Sequence, residues 1–460
     1  MNSLELRASL GLAGVYALRM LGMFLILPVF ALYAKTLPGA TSLTWVGIAL
    51  GSYGLTQALL QLPLGMLSDR VGRKKVIYGG LLLFALGSFI AAGAHDIYWL
   101  TFGRVVQGAG AISAAVTALL ADLTREENRT QAMAMIGMSI GTTFAASLVL
   151  GPLLAHYIGV NGIFALTGVL TLMALLGVKF LIPDPAVSRF HSDTQANTGR
   201  LSAVMRNREL LRLNFGIFAL HGAQMAMFVV IPFALTQTGG LDKSEHWKVY
   251  LPVVIAGFFL MVPAIIYGEK KAKLKQVFVG AVALMALAQL GMALTLSTFW
   301  QIVLWLACYF VAFNILEATL PSIISKIAPA DAKGTAIGVY NTAQSFGLFL
   351  GAAAGGWLYN HYGSTGVFGF TGTLMLAWLL MAITMKPPRA VKSVMFHIGD
   401  TSADTAQRLS QALAAVAGVE EAVVVREDGV AYLKVAQHGW DEAAVQQLIQ
   451  ESNTWRPSTK

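Results

Sequence analysis

The chain has 460 residues, of which 56% are hydrophobic and only 12% charged, with a mean hydropathy of +0.65; soluble domains carry about 25% charged residues, so most of this surface is built to face lipid. The net charge of +9 sits in the hydrophobic part: residues 1–387 hold 25 Lys and Arg against 14 Asp and Glu, and residues 388–460 hold 7 against 9. A nucleic-acid partner, which needs a polar chain with a basic face, is excluded, and the single cysteine, Cys308, excludes an internal disulfide or a cysteine-based zinc site.

The first apolar stretch, 10–34, is longer than the ~7–15 apolar residues of a secretory signal, so it reads as a first transmembrane helix. Crossing the hydrocarbon core takes about 20 apolar residues in a helix. Further stretches of that kind fall at 43–67, 76–94, 97–121, 130–156, 161–182, 213–237, 248–268, 276–296, 299–325, 333–361 and 364–385, and they are too long and too evenly apolar for barrel strands. Alternate loops are basic, with Arg70, Arg73, Lys74 and Lys75, then Arg125 and Arg129, then Arg189 to Arg212, then Lys270 to Lys275, then Lys326 and Lys333, whereas the loops between them offer only Lys35, Lys243 and Lys248. That asymmetry predicts both termini in the cytoplasm and an even number of helices.

The polar stretch 183–212 divides the helices into six and six. An internal echo supports the division. Pro63 precedes Asp69-Arg70 by six residues, with Arg73 and Lys75 following, and Pro263 precedes Glu269-Lys270 by six, with Lys273 and Lys275 following, an offset of 200 throughout. The expected bodies are a six-helix bundle over 1–182, a cytoplasmic linker over 183–212, a second six-helix bundle over 213–387 and a soluble domain over 388–460. Related halves place a transport site between them near the membrane midplane.

The soluble part predicts a strand at Val394–Ile398, a helix at Ser402–Ala417, strands at Val419–Arg426 and Val430–Ala436 around a Glu427-Asp428-Gly429 turn, and a helix at Asp441–Gln450 with Asp441 as its N-cap, plus a possible final strand. This is a β-α-β-β-α, ferredoxin-like pattern. Its first loop, Gly399-Asp400-Thr401-Ser402, lacks the paired cysteines of metal-carrying versions, so no metal is expected and a regulatory or docking role is.

The loop between the second and third helices runs from Gly65 through Asp69, Arg70, Gly72 and Arg73 to Lys75. Every fixed position matches G-x-L-x-D-R-x-G-R-[RK], and this loop resembles the signature of the major facilitator superfamily. The resemblance implies an all-α membrane fold of twelve helices in two pseudo-symmetric bundles, here with a small α+β ferredoxin-like domain appended. It further implies a conformational latch, with Asp69 facing the positive end of a helix in the other half and Arg73 pairing with Asp122. Arg104, Gln107, Gly108 and Gly110 resemble the family's R-x-x-Q-G-x-G element, in which the arginine tunes a proton site. Gly151-Pro152, preceded by Gly137 and Gly141, partly resembles the glycine-rich pattern of antiporters, with Ser147, Ala155 and His156 standing where glycine is usual.

Glu317 is the one carboxylate deep in an apolar core, with Asn314 on the same helical face. A carboxyl group so placed is suited to loading and releasing a proton, with Arg19 as its expected partner and His221 as a second titrating group. Tyr53, Gln57, Gln61, Asn214, Gln224, Asn341 and Gln344 are candidate cavity linings. Met20, Met23, Phe24, Met225, Met227 and Phe228 offer soft apolar surface for lipophilic compounds.

The function this predicts is a proton-coupled efflux antiporter of the drug-exporting branch. It would work by alternating access as a monomer in a bacterial inner membrane, with lipid, a small-molecule substrate and protons as partners and the proton gradient in place of a cofactor. A proton symporter importing a nutrient or organic anion is the alternative, and a membrane ligand sensor is an alternative of another class. No P-loop or nucleophile elbow is present, so an enzyme or an ATP-driven pump is not expected.

Overall fold

In lipid, each backbone polar group must be bonded within its own segment, and the apolar stretches fold accordingly as helices. The computed structural model describes residues 1–184, 198–271, 273–329, 332–387, 391–399, 401–426, 429–436 and 439–452. The first half comprises α1 (Ser3–Leu25), α2 (Leu27–Ala34), α3 (Leu43–Val71), α4 (Arg73–Ala92), α5 (Ile97–Ala109), α6 (Ser113–Leu123) and α7 (Glu126–Phe180). After α8 (Thr198–Arg206), the second half comprises α9 (Arg208–Gln237), α10 (Trp247–Lys270), α11 (Leu274–Leu294), α12 (Phe299–Ile327) and α13 (Lys333–Thr384).

Among the described residues these make ten helical stretches apolar enough to span, two of them 50 and 52 residues long. Both long ones double back. The start of α7 and its end meet the same part of α1: Glu5 accepts hydrogen bonds from Arg125 and Asn128, while Arg7 donates to the Phe180 carbonyl at 3.2 Å. The reversal occurs at Gly159, whose φ of 68° an L side chain rarely adopts. In α13, Gly363 at φ 64° makes the same turn, and the far end returns to Arg212 and Lys275, which donate to the Thr384 and Ile383 carbonyls. Ten stretches thus give the twelve crossings expected.

Two crossings are broken. The stretch expected as one helix at 10–34 is interrupted at Ile26, two residues before Pro28, and the one at 97–121 is interrupted at Gly110 to Ile112. The linker also departs from expectation. Part of 183–212 is helical, because Asn207 caps α9 through its Oδ1, which accepts from the Glu209 and Leu210 amides at 3.0 and 3.3 Å. Residues 185–197 of the linker lie outside the described residues.

The apolar core is lopsided. One continuous core takes in the whole of the second half, out to Leu210, Leu274 and Met385, and joins it to the first half through α2 and α3 near the Gly159 and Gly363 turns, at Phe30, Val46, Leu50, Phe228, Tyr250 and Ala352. On the face bearing Arg73, the first half has a separate core of Leu12, Ile77, Leu119 and Val178 among others. The two halves are therefore sealed at one face and split at the other.

The C-terminal body holds β1 (Val391–His397), α14 (Ala403–Ala414), β2 (Val419–Val425), β3 (Val430–Ala436) and α15 (Glu442–Ser452). The strands form an antiparallel sheet in the order β1-β3-β2, with Phe396 opposite Ala431 and Val424 opposite the same residue. Leu409, Leu413 and Val445 pack on Ala431, Leu433 and Val435, so both helices cover one face. Asp441 Oδ1 accepts from the Ala444 amide at 3.0 Å, as its N-cap place requires. Expected features at Asp400 and at the Glu427-Asp428 part of the turn fall outside the described residues, as do residues 453–460, where the chain could continue into the possible final strand.

Candidate functional site

Glu317 occupies the third position of a stripe on α12, Tyr309, Phe313 and Glu317, spaced four apart so that all three share one face. Tyr309 and Phe313 stack at 5.7 Å. Opposite them, His221 on α9 presents its ring to Phe313 at 6.0 Å and its Nε2 to Glu317 Oε1 at 3.5 Å. That carboxylate oxygen is buried, yet the Glu317 side chain keeps 36% of its surface, so the group faces a space inside the protein and not a packed wall. The same Nε2 lies 2.7 Å from Gln344 Nε2 on α13, and His221 Nδ1 lies 3.3 Å from the Ile217 carbonyl. In a neutral imidazole these contacts are satisfied by donation from Nδ1 to the Ile217 carbonyl and acceptance at Nε2 from the Gln344 amide. Phe144 of α7 meets Phe310 and Phe313 across the boundary between the halves, and Phe24 of α1 meets Phe144 edge-on at 5.1 Å. The result is a titratable pair in an aromatic enclosure contributed by both halves.

The expected pairing of Arg19 with Glu317 is not formed. Arg19 is fully buried in the first half, where its Nη2 donates to Tyr53 Oη at 2.9 Å and to the Gly110 carbonyl at 3.2 Å and approaches Gln57 Oε1 at 3.5 Å. Its guanidinium also lies 5.1 Å from the Phe84 ring centre. The break between α5 and α6 explains the choice, since it exposes the Gly110 carbonyl to the arginine. Arg104 lies one layer deeper. It donates to Gln107 Oε1 at 2.7 Å and to the Leu50 carbonyl at 3.3 Å, and its guanidinium rests 5.0 Å from the Tyr53 ring centre. Gln107 in turn donates to Ser88 at 2.7 Å. Tyr53 is thus held between two arginines, and Arg104 is bonded within the first half rather than to Glu317.

At the opposite end of α3, Arg73 is paired with Asp69 and with Asp122, the latter at 3.3 Å, and it donates to Ser68 Oγ at 3.1 Å. Arg73 and Asp122 are both buried, at 3% and 0% side-chain exposure, so their charges depend on each other. Gly72, at φ 110°, separates α3 from α4 and sets Arg73 at the start of the next helix. Arg70 is exposed. Asp69 opens onto a cleft of about 510 Å³ between the halves, lined by Gln61, Gly65, Ser113 and Thr117 on one side and by Gly334, Ile337, Gly338 and Asn341 on the other. The start of α13 therefore does face Asp69 across the split.

Gln61 and Asn341 line this cleft, whereas Tyr53, Gln57 and Gln344 are not among its lining residues. Asn214 and Gln224 are buried on α9, and among the described residues neither is hydrogen-bonded to His221 or Glu317. Asn314 is buried with its Nδ2 unpartnered, against the place where a side chain on Gly257 would stand. Gly151 packs on the Leu25 carbonyl and Pro28, at the α1–α2 break, while Gly137 and Gly141 face open space.

Sequence reasoning missed Tyr309 and Tyr340, which lie within electrostatic reach of Glu317, and Ser345, which accepts from Gln57 Nε2 at 3.2 Å across the halves. The signal was present: Tyr340 and Gln344 are spaced four apart on α13, as Tyr309, Phe313 and Glu317 are on α12. The analogous contact in the second half, Lys326 to Glu269 at 3.3 Å, was also missed, although Glu269 carries the 200-residue echo of Asp69. Among the described residues no cluster could hold a metal ion.

Comparison with known proteins places this geometry. The sequence profile of the Major Facilitator Superfamily matches residues 12–352 and 273–413. The chain is 43% identical over 448 residues, 97% of its length and 98% of the relative's, to the inner membrane transport protein YajR of Escherichia coli K12. It is 25% identical to the multidrug resistance protein MdtH of Cronobacter sakazakii, over 78% of this chain and 90% of that one. Among solved structures, a bacterial homologue of the human lysosomal transporter Spinster, in an inward-facing and occupied conformation, matches the fold with a TM-score of 0.67 at 14% identity, covering 84% of this chain and 98% of that one. Two six-crossing halves, the intact signature loop and a near-full-length relative lead to one assignment: the chain is a multi-pass membrane transporter, not an enzyme, and it belongs to the major facilitator superfamily.

Proposed function

We propose that this transporter is a proton-coupled efflux antiporter for small lipophilic or cationic compounds, working by alternating access in a bacterial inner membrane with both termini in the cytoplasm. The observation that carries the reading is the Glu317–His221 pair, 3.5 Å apart inside aromatic walls drawn from both halves. A carboxylate among aromatic faces attracts a lipophilic cation when ionised, through charge and ring quadrupoles worth about 0.5–2 kcal/mol each. Once protonated it no longer does, so one site serves proton and substrate in turn. The basic loops support a cytoplasmic Arg73 face, and the cleft beside Asp69 fits a state open to that side. The likeness to MdtH, which is named a multidrug resistance protein, supports export. Arg73, Asp69 and Asp122 would act as the latch whose rupture accompanies the change of state.

The test is reconstitution into vesicles with an imposed pH gradient and ethidium as the probe. Antiport predicts dye accumulation in acid-inside vesicles, symport accumulation in acid-outside ones. Glu317→Gln is expected to abolish gradient-driven accumulation, and undiminished accumulation by that variant removes Glu317 from the mechanism. A second reading, proton symport of an organic anion, draws on one observation: Arg19 Nε and Nη1 are buried donors without partners, which an acid group would satisfy.

A further inference from the structure

Gln344 and Ser345 are consecutive on α13, yet their side chains serve different halves. Gln344 meets His221 in the second half at 2.7 Å, while Ser345 Oγ accepts from Gln57 Nε2 of α3 in the first half at 3.2 Å, and Gln57 continues to Arg19 at 3.5 Å. Around Ser345 the α3–α13 seam is close-packed and apolar. Gly47, Gly51 and Gly54 lie against Ala352, Phe349 and the Ser345 backbone so tightly that none has room for a side chain. A neutral hydrogen bond in such a seam is expensive to leave unmade.

The His221 end has two mutually exclusive arrangements. With Nε2 unprotonated, the ring accepts from the Gln344 amide. With a proton on Nε2, that nitrogen donates to Glu317 Oε1 and has no lone pair for Gln344, and two N–H donors cannot bond to each other. Gln344 must then turn its amide over or withdraw. The titratable groups that face the pair are Tyr309 on α12 and Tyr340 on α13, and His221 is the one that α9 contributes; Arg19 reaches it only through Gln57 and Ser345.

We infer that Gln344 and Ser345 are positioning residues that couple the proton on the Glu317–His221 pair to the seam between the halves. Gln344 senses which nitrogen carries the proton, and Ser345 holds or releases Gln57. The inference rests on the reading of Glu317 as the proton carrier. It makes α13 the element that converts a proton transfer into separation of α3 from α13.

The experiment uses the full-length protein with Cys308→Ala and spin labels on Val71→Cys and Lys271→Cys, which are exposed on opposite sides of the Arg73-face opening. Distance distributions are recorded in vesicles at acid and alkaline pH, and infrared difference spectra follow the carboxyl band that Glu317→Gln removes. The parent protein should redistribute between two distances with pH. Ser345→Ala, Gln344→Ala and Gln57→Ala should keep the carboxyl band but reduce the pH-driven change in population ratio by about fivefold or more, the scale of one neutral hydrogen bond. Ser345→Thr, which keeps the hydroxyl, should restore it. Redistribution in Ser345→Ala equal to the parent's overturns the inference, as does loss of the carboxyl band together with the redistribution, which would make Ser345 part of the proton site itself. Parent-like redistribution in Glu317→Gln overturns instead the reading of Glu317 as proton carrier.

Discussion

Glu5 and Arg125, 120 residues apart, are joined by three hydrogen bonds: the Arg125 amide and Nε donate to Glu5 Oε1 at 2.8 and 3.0 Å, and Nη2 donates to Oε2 at 3.3 Å. Asn128 adds a fourth at 3.0 Å, and Glu5 also closes a capping box with Asn2 at the start of α1. One buried carboxylate therefore ties the first crossing to the start of the fifth. Glu5→Ala is expected to lower stability by about 1–3 kcal/mol, limited by the partial exposure of Arg125. The check is the thermal midpoint in detergent, which should fall by several degrees, with Glu5→Gln intermediate.

The Arg73–Asp122 pair predicts non-additive losses in single and double variants. Arg73→Met takes from the buried Asp122 carboxylate its arginine partner, at a cost of up to about 3–5 kcal/mol, whereas Asp122→Leu costs less because Arg73 keeps its pairing with Asp69. The double variant should cost less thermal stability than the two single losses together. Two single-variant losses that simply add would show that the two groups do not depend on each other.

His221→Ala is expected to leave the protein folded while shifting the pH dependence of gradient-driven dye transport. His221 is the imidazole within 3.5 Å of Glu317, and removing it changes the field in which the carboxyl group titrates. Transport against pH should move in this variant and be flat in Glu317→Gln. Identical profiles for parent and His221→Ala would show that the imidazole plays no part in proton loading.

Glycines on α7 and α13 should respond to alanine in opposite ways. At Gly159, φ is 68° and an L side chain is strained by about 1–2 kcal/mol; Gly363→Ala should behave alike. Gly137 and Gly141 are helical with open space beside them, so alanine there should stabilise by up to about 1 kcal/mol. Melting curves of the four single variants distinguish the two classes.

Much of the fold was legible because lipid imposes strong rules. Apolar length marked each crossing, including the breaks near Gly159 and Gly363, and the spacing from Gly65 to Lys75 carried the family. Helix boundaries at the membrane surface were less so: hydropathy began the seventh crossing at 213, but the helix starts five residues sooner, at Arg208, capped by Asn207, since a polar first turn is invisible to an apolar window. Within the site, single polar residues stood out against the apolar background, which is how Glu317, His221 and Gln344 were found. What each one touches did not. Charge alone favoured Arg19 for Glu317, but an arginine chooses among every acceptor in reach, and the Gly110 carbonyl freed by the α5–α6 break is visible only in three dimensions. Glu5 was overlooked because a carboxylate near a chain start reads as solvated until a distant loop folds over it.

The last crossing ends at Thr384 and the sheet begins at Val391, with β1 in contact with α12. Seven peptide steps reach at most about 25 Å. A tether that short keeps the small domain at a millimolar-scale effective concentration beside the end of the last crossing. A contact between the two bodies therefore needs only modest affinity, and a long insertion at 386–390 would weaken it without altering either folded body.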